Sequence, residues 1–225
     1  MIVDNMAKQK KENETENAVE EKQGTIATID RKTMVLQLEG ISPLISHRFS
    51  EKSQDNILQK QMKTARSAPG KEAKDPQKDY EGCLYTLPDG RFGFPLNGFK
   101  KAVVDAAAFT GKQFAKTFVR GAFQIIDTTN SGLAAIENAS PHIRKDVVRL
   151  SAPSRPADIR YRAEFPIGWK VMLTVTYNTY AMSAEQIAQL FELAGFSIGI
   201  GDWRPQTNGS YGMFKVARAE KPASA

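Results

Sequence analysis

The sequence predicts an α+β domain with a modified ferredoxin-like (RRM-like) antiparallel sheet, two helices, and inserted hairpins and loops. Three observations predict this class. Strand-type and helical patterns follow one another as strand, helix, strand or hairpin, strand, helix, strand. Residues 160–167 alternate polar and apolar side chains, and residues 169–177 continue as the clearest strand. The order is βαββαβ, in which helices cover one face of the sheet and leave the other free for a ligand.

The N-terminal half begins with a polar stretch, residues 1–23, that we expect to be a disordered acidic tail. Residues 33–40 form a β-type run ended by a glycine. The next elements are a helix over 50–63 with Ser50 as its N-cap, a solvated excursion over 65–79, and a hairpin over 80–94 around Pro88-Asp89-Gly90. A helix then follows Pro95-Leu96-Asn97-Gly98 and places Phe99, Val103, Ala106 and Ala107 on one face.

The C-terminal half is predicted to contain six further elements. They are a strand over 117–127, a shorter strand over 147–150 after a loop at 128–145, the two strands over 160–177, a helix that runs to Ala194 with Ser183 as its N-cap and Gly195 as its C′ glycine, and a final strand over 213–218. The domain organisation follows: one domain over 24–218 with an insertion at 50–82, and a disordered C-terminus over 219–225.

Composition and charge narrow the function classes. The formal net charge is +6, with −3 in the first 30 residues and +9 in the rest. A basic body suits a polyanion, nucleic acid first and an anionic membrane surface second, although ordinary solubility charge is the alternative. The single Cys83 and two histidines argue against a disulfide and a metal site, so we expect no cofactor and a reducing cytoplasm. No membrane span, signal peptide, P-loop, Asp-rich two-metal cluster or nucleophile elbow is found.

The most specific segment is a glycine-rich loop before the last strand. Residues 195–212 contain five glycines together with Trp203, Arg204, Asn208 and Tyr211. Glycines let backbone amides approach a phosphate closely, while the aromatic rings offer stacking faces and Arg204 a fixed cation. The alternative is a glycine-rich connection around a buried Trp203.

This loop, with the helix before it and the closing Gly212-Met213-Phe214-Lys215-Val216 strand, resembles the C-terminal glycine-rich loop of the RAMP superfamily of CRISPR effector complexes. Residues 94–107 are similar to the start of the first helix in those proteins. The resemblance implies an RRM-like core that binds single-stranded RNA or a related strand, in subunits that polymerise along a guide; other members are metal-independent RNA-processing enzymes. Asp202-Trp203-Arg204-Pro205 replaces a more basic run, and the chain is short, so a phage or mobile-element relative fits equally well.

Basic residues outside the loop are further candidates for phosphate contacts. They are His47, Arg48 and Lys52 after the first strand, Lys100 and Lys101 at the start of the helix after residue 98, Arg160 and Arg162 on one face of a strand, and Arg144, Lys145 and Arg149 near the preceding strand. For His47 taken alone, the simpler interpretation is that its side chain caps or hydrogen-bonds a nearby backbone carbonyl. As a general base it needs a second group to orient it, and His142 has no assignable partner.

We therefore predict a non-enzymatic protein that binds single-stranded DNA or RNA largely without sequence preference, with self-association along the strand through loops such as 64–82. One alternative is a RAMP-type metal-independent endoribonuclease that uses His47 or His142. Another is a structural or assembly protein whose basic face meets a protein partner. The sequence does not decide between DNA and RNA.

Overall fold

The computed structural model describes residues 29–48, 58, 61–62, 74–111, 113–149 and 157–220. Contacts between Cα atoms divide the chain into residues 1–30 and residues 31–225. Of the first unit only Ile29 and Asp30 are described, and both are exposed. The predicted tail over 1–23, nearly all of the helix over 50–63, and Lys52 lie outside the described residues, so those predictions stay open.

In the described parts of the chain the secondary structure comprises ten strands and four helices, with two short 3-10 turns at Ala107–Phe109 and Pro205–Thr207. The strands are β1 (Arg31–Gly40), β2 (Leu44–Ser46), β3 (Tyr85–Thr86), β4 (Phe92–Pro95), β5 (Phe123–Ile126), β6 (Leu133–Glu137), β7 (His142–Arg149), β8 (Ala157–Phe165), β9 (Lys170–Asn178) and β10 (Phe214–Glu220). The helices are α1 (Pro76–Gly82), α2 (Leu96–Ala106), α3 (Lys116–Ala122) and α4 (Ala184–Ser197).

The main sheet has the strand order β10-β1-β9-β6-β4-β3, and β5 pairs with β9 beside β6. Its strand pairs are antiparallel. If β5 and β6 are counted as one interrupted strand, the chain order β1, α2, β5–β6, β9, α4, β10 is βαββαβ. The predicted fold class is therefore confirmed. A second sheet, β2-β8-β7, carries the insertion-like hairpin of β7 and β8.

The core lies between the main sheet and helices α2 and α4. Alternate residues of the central strands point toward the helices, so Leu36 and Leu173, which are paired in register, are buried, while Met172, next to Leu173 on β9, is exposed on the other face. All four residues predicted on the inner face of α2 are buried: Phe99, Val103, Ala106 and Ala107. Ser183 caps α4 in a capping box with Gln186, as predicted.

Several predicted elements differ from the observed ones. Residues 116–122 are helix, not strand, because Val119 and Ala122, three residues apart, are the positions that turn inward. The predicted loop at 128–145 contains β6 and the start of β7. The predicted solvated excursion ends in α1, which Asp75 caps by accepting hydrogen bonds from the amides of Gln77 and Lys78.

The end of α4 also differs from its prediction. Gly195 lies within the helix, where an added Cβ would come 1.8 Å from the carbonyl oxygen of Phe214, so its role is a close approach between helix and strand. Gly199, with φ of 67°, adopts the left-handed conformation beyond the helix. Its amide donates to the carbonyl of Ala194. Strand β10 continues to Glu220, two residues into the segment predicted as disordered.

Candidate functional site

The glycine-rich loop is held in place by backbone hydrogen bonds to the segment after β1. The amide of Asp202 donates to the carbonyl of Ile45 at 3.1 Å, and the amide of Gly212 donates to the carbonyl of Pro43 at 2.7 Å. The two arms of the loop are joined by a third bond, from the amide of Ile200 to the carbonyl of Gly212 at 3.0 Å. Residues 43–47 and the loop, about 155 residues apart in sequence, therefore form one rigid unit.

An open cavity of about 230 Å³ lies where this unit meets the β3–β4 hairpin and the first turns of α2. Polar side chains of His47, Lys101, Asp202, Arg204 and Gln206 line it, over a floor that includes Tyr85 and Phe94. The structure thus brings together three of the predicted site residues, His47, Lys101 and Arg204, from three separate segments of the chain. We call these three side chains with Asp202 the cavity cluster.

His47 and Asp202 form a polar pair at the edge of the cavity. The Nδ1 atom of His47 lies 3.0 Å from Oδ2 of Asp202, and each side chain is about one-third exposed (33% and 35%). Burial raises the pKa of Asp202, but the hydrogen bond from His47 and the positive charges of Arg162 and Arg160 outweigh it and lower the pKa below its ordinary value. The second group that a histidine base requires is thus Asp202.

Asp105, on α2, ties the loop to the helix. Its carboxylate accepts hydrogen bonds from Lys101, from Nζ of Lys116 at 3.0 Å, and from Nε2 of Gln206 at 3.0 Å. Burial raises the pKa of Asp105, but these three donors more than reverse the effect and leave the pKa well below its usual range. Lys101 remains 66% exposed, so its charge stays accessible beside the cavity.

Arg204 is held inside the loop that carries it. Its Nη1 donates to the carbonyl of Gly201 at 3.0 Å, and its Nε and Nη2 donate to Oε1 of Gln206. Because Gln206 also bonds Asp105, the guanidinium is fixed at the cavity wall through one chain of hydrogen bonds. Asn208 ends the following turn in the left-handed region, with φ of 62°, and is exposed.

Trp203 and Tyr211 are not part of the cavity lining. The Trp203 ring faces the guanidinium groups of Arg162 (4.6 Å from the ring centroid) and Arg144 (5.3 Å), and lies 6.0 Å from the Tyr211 ring. Trp203 also has φ of 53°, and an added Cβ on Gly209 would lie 1.7 Å from its carbonyl oxygen. This backbone is possible only because residue 209 is glycine. The arrangement places Trp203 in contact with protein cations.

Arg162 differs most from its prediction as a phosphate contact. It does share a face of β8 with Arg160 and Glu164, but Arg162 itself lies under the Trp203 ring and is only 2% exposed. Its Nη1 pairs with Asp146 at 3.2 Å, and its Nε lies 3.4 Å from Asp202. Arg144 opposite it pairs with Asp146 and Glu164. We call Arg144, Asp146, Arg162, Glu164 and Trp203 the buried arginine cluster; its cations neutralise carboxylates of the same chain.

Lys100, predicted as a phosphate contact, instead makes its contacts within the protein. Its Nζ donates to the carbonyls of Arg120 and Phe123 and lies 3.6 Å above the centre of the Phe123 ring. Burial lowers the pKa of Lys100 to about 8. Its neighbour Lys101 lines the cavity instead, because adjacent residues of a helix lie about 100° apart around the axis. Lys100 therefore contacts the protein interior, while Lys101 faces the cavity.

The remaining predicted residues lie outside the cavity. Arg48 is partly buried and its amide donates to the carbonyl of Cys83; its charge acts to lower the pKa of Tyr85, although burial raises that pKa overall. His142 lies 3.5 Å from Glu164. Asp202, Asp105 and Gln206 were not singled out from the sequence. The only signal was that Asp202 stands where the resembling family has a more basic run.

The described residues contain neither a candidate metal site nor a membrane-spanning helix. In those ranges no group of three histidine, cysteine, aspartate or glutamate side chains could hold a metal ion. No helix within them is long and apolar enough to cross a membrane.

Comparison with known proteins identifies the fold. No family model and no curated protein matches the chain. Among solved structures, a chain in the cryo-EM structure of the Type III-B Cmr-beta bound to cognate target RNA is similar, with 9% identity, a TM-score of 0.51, and coverage of 95% of this chain and 68% of that one. The crystal structure of Cmr6 from Pyrococcus furiosus also matches, with 10% identity, a TM-score of 0.43, and coverage of 84% and 100%. The similarity supports the fold that the resemblance to the RAMP superfamily implies.

The match corrects one prediction. We expected a non-enzymatic protein, and the finding that the chain shares its fold with a Type III-B Cmr-beta subunit contradicts this. The RAMP fold, as the resemblance implies, carries RNA-processing enzymes as well as binding subunits. The absence of a P-loop or a nucleophile elbow therefore excludes particular reactions and does not exclude catalysis.

Proposed function

We propose that this protein binds single-stranded nucleic acid, largely without sequence preference, with the strand passing over the cavity cluster. The observation that carries the proposal is the convergence of His47, Lys101 and Arg204 on one open cavity. Lys101 and Arg204 supply charge for phosphates, and the partly exposed ring of Tyr85 lies beside them. The cavity is smaller than the roughly 300–1,000 Å³ of small-molecule sites, which favours a passing strand over an enclosed ligand.

RNA is the first ligand to test, because the Type III-B Cmr-beta structure with the same fold is bound to RNA. The proposal includes assembly of several copies along one strand, as the RAMP resemblance implies for backbone subunits. Analytical ultracentrifugation with strands of increasing length tests this part. Stepwise growth of the complex with strand length supports assembly, and one copy per strand at every length contradicts it.

Fluorescence anisotropy with labelled single-stranded RNA and DNA over a salt series tests the binding site. Arg204→Ala should weaken binding to all sequences alike and reduce the slope of log K against log salt by about one. Lys215→Ala is the matched control, since Lys215 is a half-exposed cation on edge strand β10 whose partner is Glu39. Equal losses in the two variants would mean that binding follows overall charge and not this cavity.

A second function, cleavage of RNA without a metal, is favoured by the His47–Asp202 pair at 3.0 Å. Asp202 lies 3.0 Å from Nδ1 of His47 and orients the imidazole ring, which is the group that exchanges a proton with a substrate. In this reaction His47 accepts the proton of a ribose 2′-hydroxyl, whose oxygen attacks the adjacent phosphorus. The bond between phosphorus and the 5′-oxygen breaks, that oxygen takes a proton from water, and the products carry a 2′,3′-cyclic phosphate and a 5′-hydroxyl.

Incubation of labelled RNA with excess chelator tests this second function. We expect cleavage by the wild type, loss of cleavage in His47→Ala, and at least a tenfold lower rate in Asp202→Asn, following the order of magnitude for general acid–base catalysis of about 10²–10⁴. His142→Ala is the control histidine. Wild-type RNA that stays intact, or cleavage that survives His47→Ala, removes this function and leaves the binding proposal untouched.

A further inference from the structure

A second surface carries the side chains expected for contact with a strand. Residues 107–120 read AAFTGKQFAKTFVR, with three phenylalanines, two lysines and one arginine. No carboxylate occurs between Asp105 and Asp127. We call the described part of this segment, namely Phe109, Phe114, Lys116, Phe118 and Arg120, the aromatic-basic surface. This surface was not predicted from the sequence, because residues 117–127 were interpreted as one strand.

The helical conformation of α3 gives this surface its shape. Val119 and Ala122 are buried, which leaves Lys116 and Arg120, four residues apart, on the outer side of the helix. Phe109 is 59% exposed and Phe118 is 44% exposed. Phe114 stacks on Phe118 with an interplanar angle of 7° and a centroid distance of 6.1 Å. Exposed phenylalanines cost solubility, so their grouping here indicates a contact surface.

The aromatic-basic surface is continuous with the cavity cluster. Asp105 accepts hydrogen bonds from Lys116 of this surface and from Lys101 and Gln206 of the cavity lining. Lys101, Asp105 and Phe109 are spaced four residues apart along α2 and the turn that follows it. The 3-10 turn that carries Phe109 is in contact with α3. A strand that leaves the cavity past Lys101 therefore meets Lys116 and these rings next.

The composition identifies the partner. Cores of protein–protein interfaces are depleted in charged residues, and lysine is among the residues depleted. Phenylalanines interleaved with lysine and arginine, in a segment that has no carboxylate of its own, match the stacking platforms of single-strand binding proteins, in which cations track phosphates and rings stack on bases. Phe196 provides the contrast: it is 67% exposed, but the residue four positions before it is Glu192.

We propose that the aromatic-basic surface is a second contact region for the same single strand, in which Phe109 and Phe118 stack on bases and Lys116 and Arg120 contact phosphates. This inference rests on the proposed binding function. It extends the binding path from the cavity along the outer side of α2 and α3 and lengthens the site to several nucleotides.

The test uses the full chain with Phe109→Ala/Phe118→Ala, and Phe196→Ala as the matched control. Each stacked base is worth about a tenfold change in affinity, so the double variant should lose on the order of 100-fold for strands of about 16 nucleotides. Strands of about 4 nucleotides, which fill the cavity alone, should bind it unchanged. Phe196→Ala should bind both lengths like the wild type. Phe109→Leu/Phe118→Leu keeps the apolar volume and should show the same loss, which separates stacking from a change in stability.

The outcomes separate the two proposals. Loss of affinity for long strands only, in both double variants, supports the second contact region. Unchanged affinity in both, while Arg204→Ala still weakens binding, overturns this inference and leaves the proposed function in place. Loss of self-association with unchanged affinity per copy identifies a protein-docking surface and also overturns it. A wild-type chain that binds no single strand of either length contradicts the proposed function itself.

Discussion

The cavity cluster and the buried arginine cluster lie on two sides of the same aspartate and use the same kinds of side chain differently. Oδ2 of Asp202 is 3.0 Å from Nδ1 of His47 on the cavity side and 3.4 Å from Nε of Arg162 on the buried side. Arg162 is 2% exposed and its charge is offset by Asp146 and Asp202, whereas Lys101 is 66% exposed. Burial therefore decides which basic residues organise the fold and which are open to a polyanion.

The Nε atom of Arg162 is the one buried side-chain nitrogen without a hydrogen bond among the described residues, since its approach to Asp202 is an ion pair and not a well-formed bond. His47 binds the same oxygen of Asp202 at the shorter distance. Both clusters therefore contact the carboxylate of Asp202. A substitution in one cluster is expected to alter the contacts of Asp202 with the other.

The largest effect is expected from the buried side. Arg162→Ala should lower the free energy of unfolding by about 3–5 kcal/mol, because it removes one of the two arginines that pair with the buried Asp146 and also removes a cation from the Trp203 ring. Arg204→Ala should change that free energy by less than about 1 kcal/mol, since its contacts lie within an exposed loop. Urea denaturation of both variants measures the difference. Equal stability losses would erase the distinction between the two clusters.

Trp203 should give an intermediate effect that sharpens the same comparison. Its ring is partly buried and packs on two guanidinium groups, so Trp203→Ala should cost about 2–3 kcal/mol of unfolding free energy, less than a fully buried tryptophan. Trp203→Phe should recover about half of that loss. Strand affinity per folded molecule should remain near the wild-type value. A loss of affinity with an unchanged melting temperature would instead support the base-stacking role predicted from the sequence.

The fold was more predictable than the site because its signals are local. The alternation in β9 and the apolar face of α2 each follow from residues close in sequence, and both elements were found. The short apolar stretch at 116–126 carries no such period, so α3 and β5 were interpreted as one strand. In the site, Arg204 and Lys101 could be named from residue type, but the partnership of His47 with Asp202 spans 155 residues and depends on the backbone bonds of the loop. The burial of Arg162 depends on how β8 packs. The alternating pattern of β8 shows which residues share a face, but it does not show which face is covered by the rest of the protein.

The smallest effect is expected at Lys100, next to Lys101 on α2, and it depends on pH. Burial lowers the pKa of Lys100 to about 8 in the folded chain, while an unfolded lysine has a pKa of about 10.4. Between these values the unfolded chain binds more protons, so this lysine makes stability increase as the pH rises from about 8 to about 10.4. Lys100→Met should flatten that increase in thermal unfolding measured across this range and leave strand affinity unchanged. Lys101→Met should leave the pH profile of stability intact and weaken strand binding. The opposite result, in which Lys100→Met weakens strand binding and Lys101→Met flattens the pH profile, would mean that Lys100 and not Lys101 contacts the strand. Only the side chain that faces the strand contributes its charge to binding.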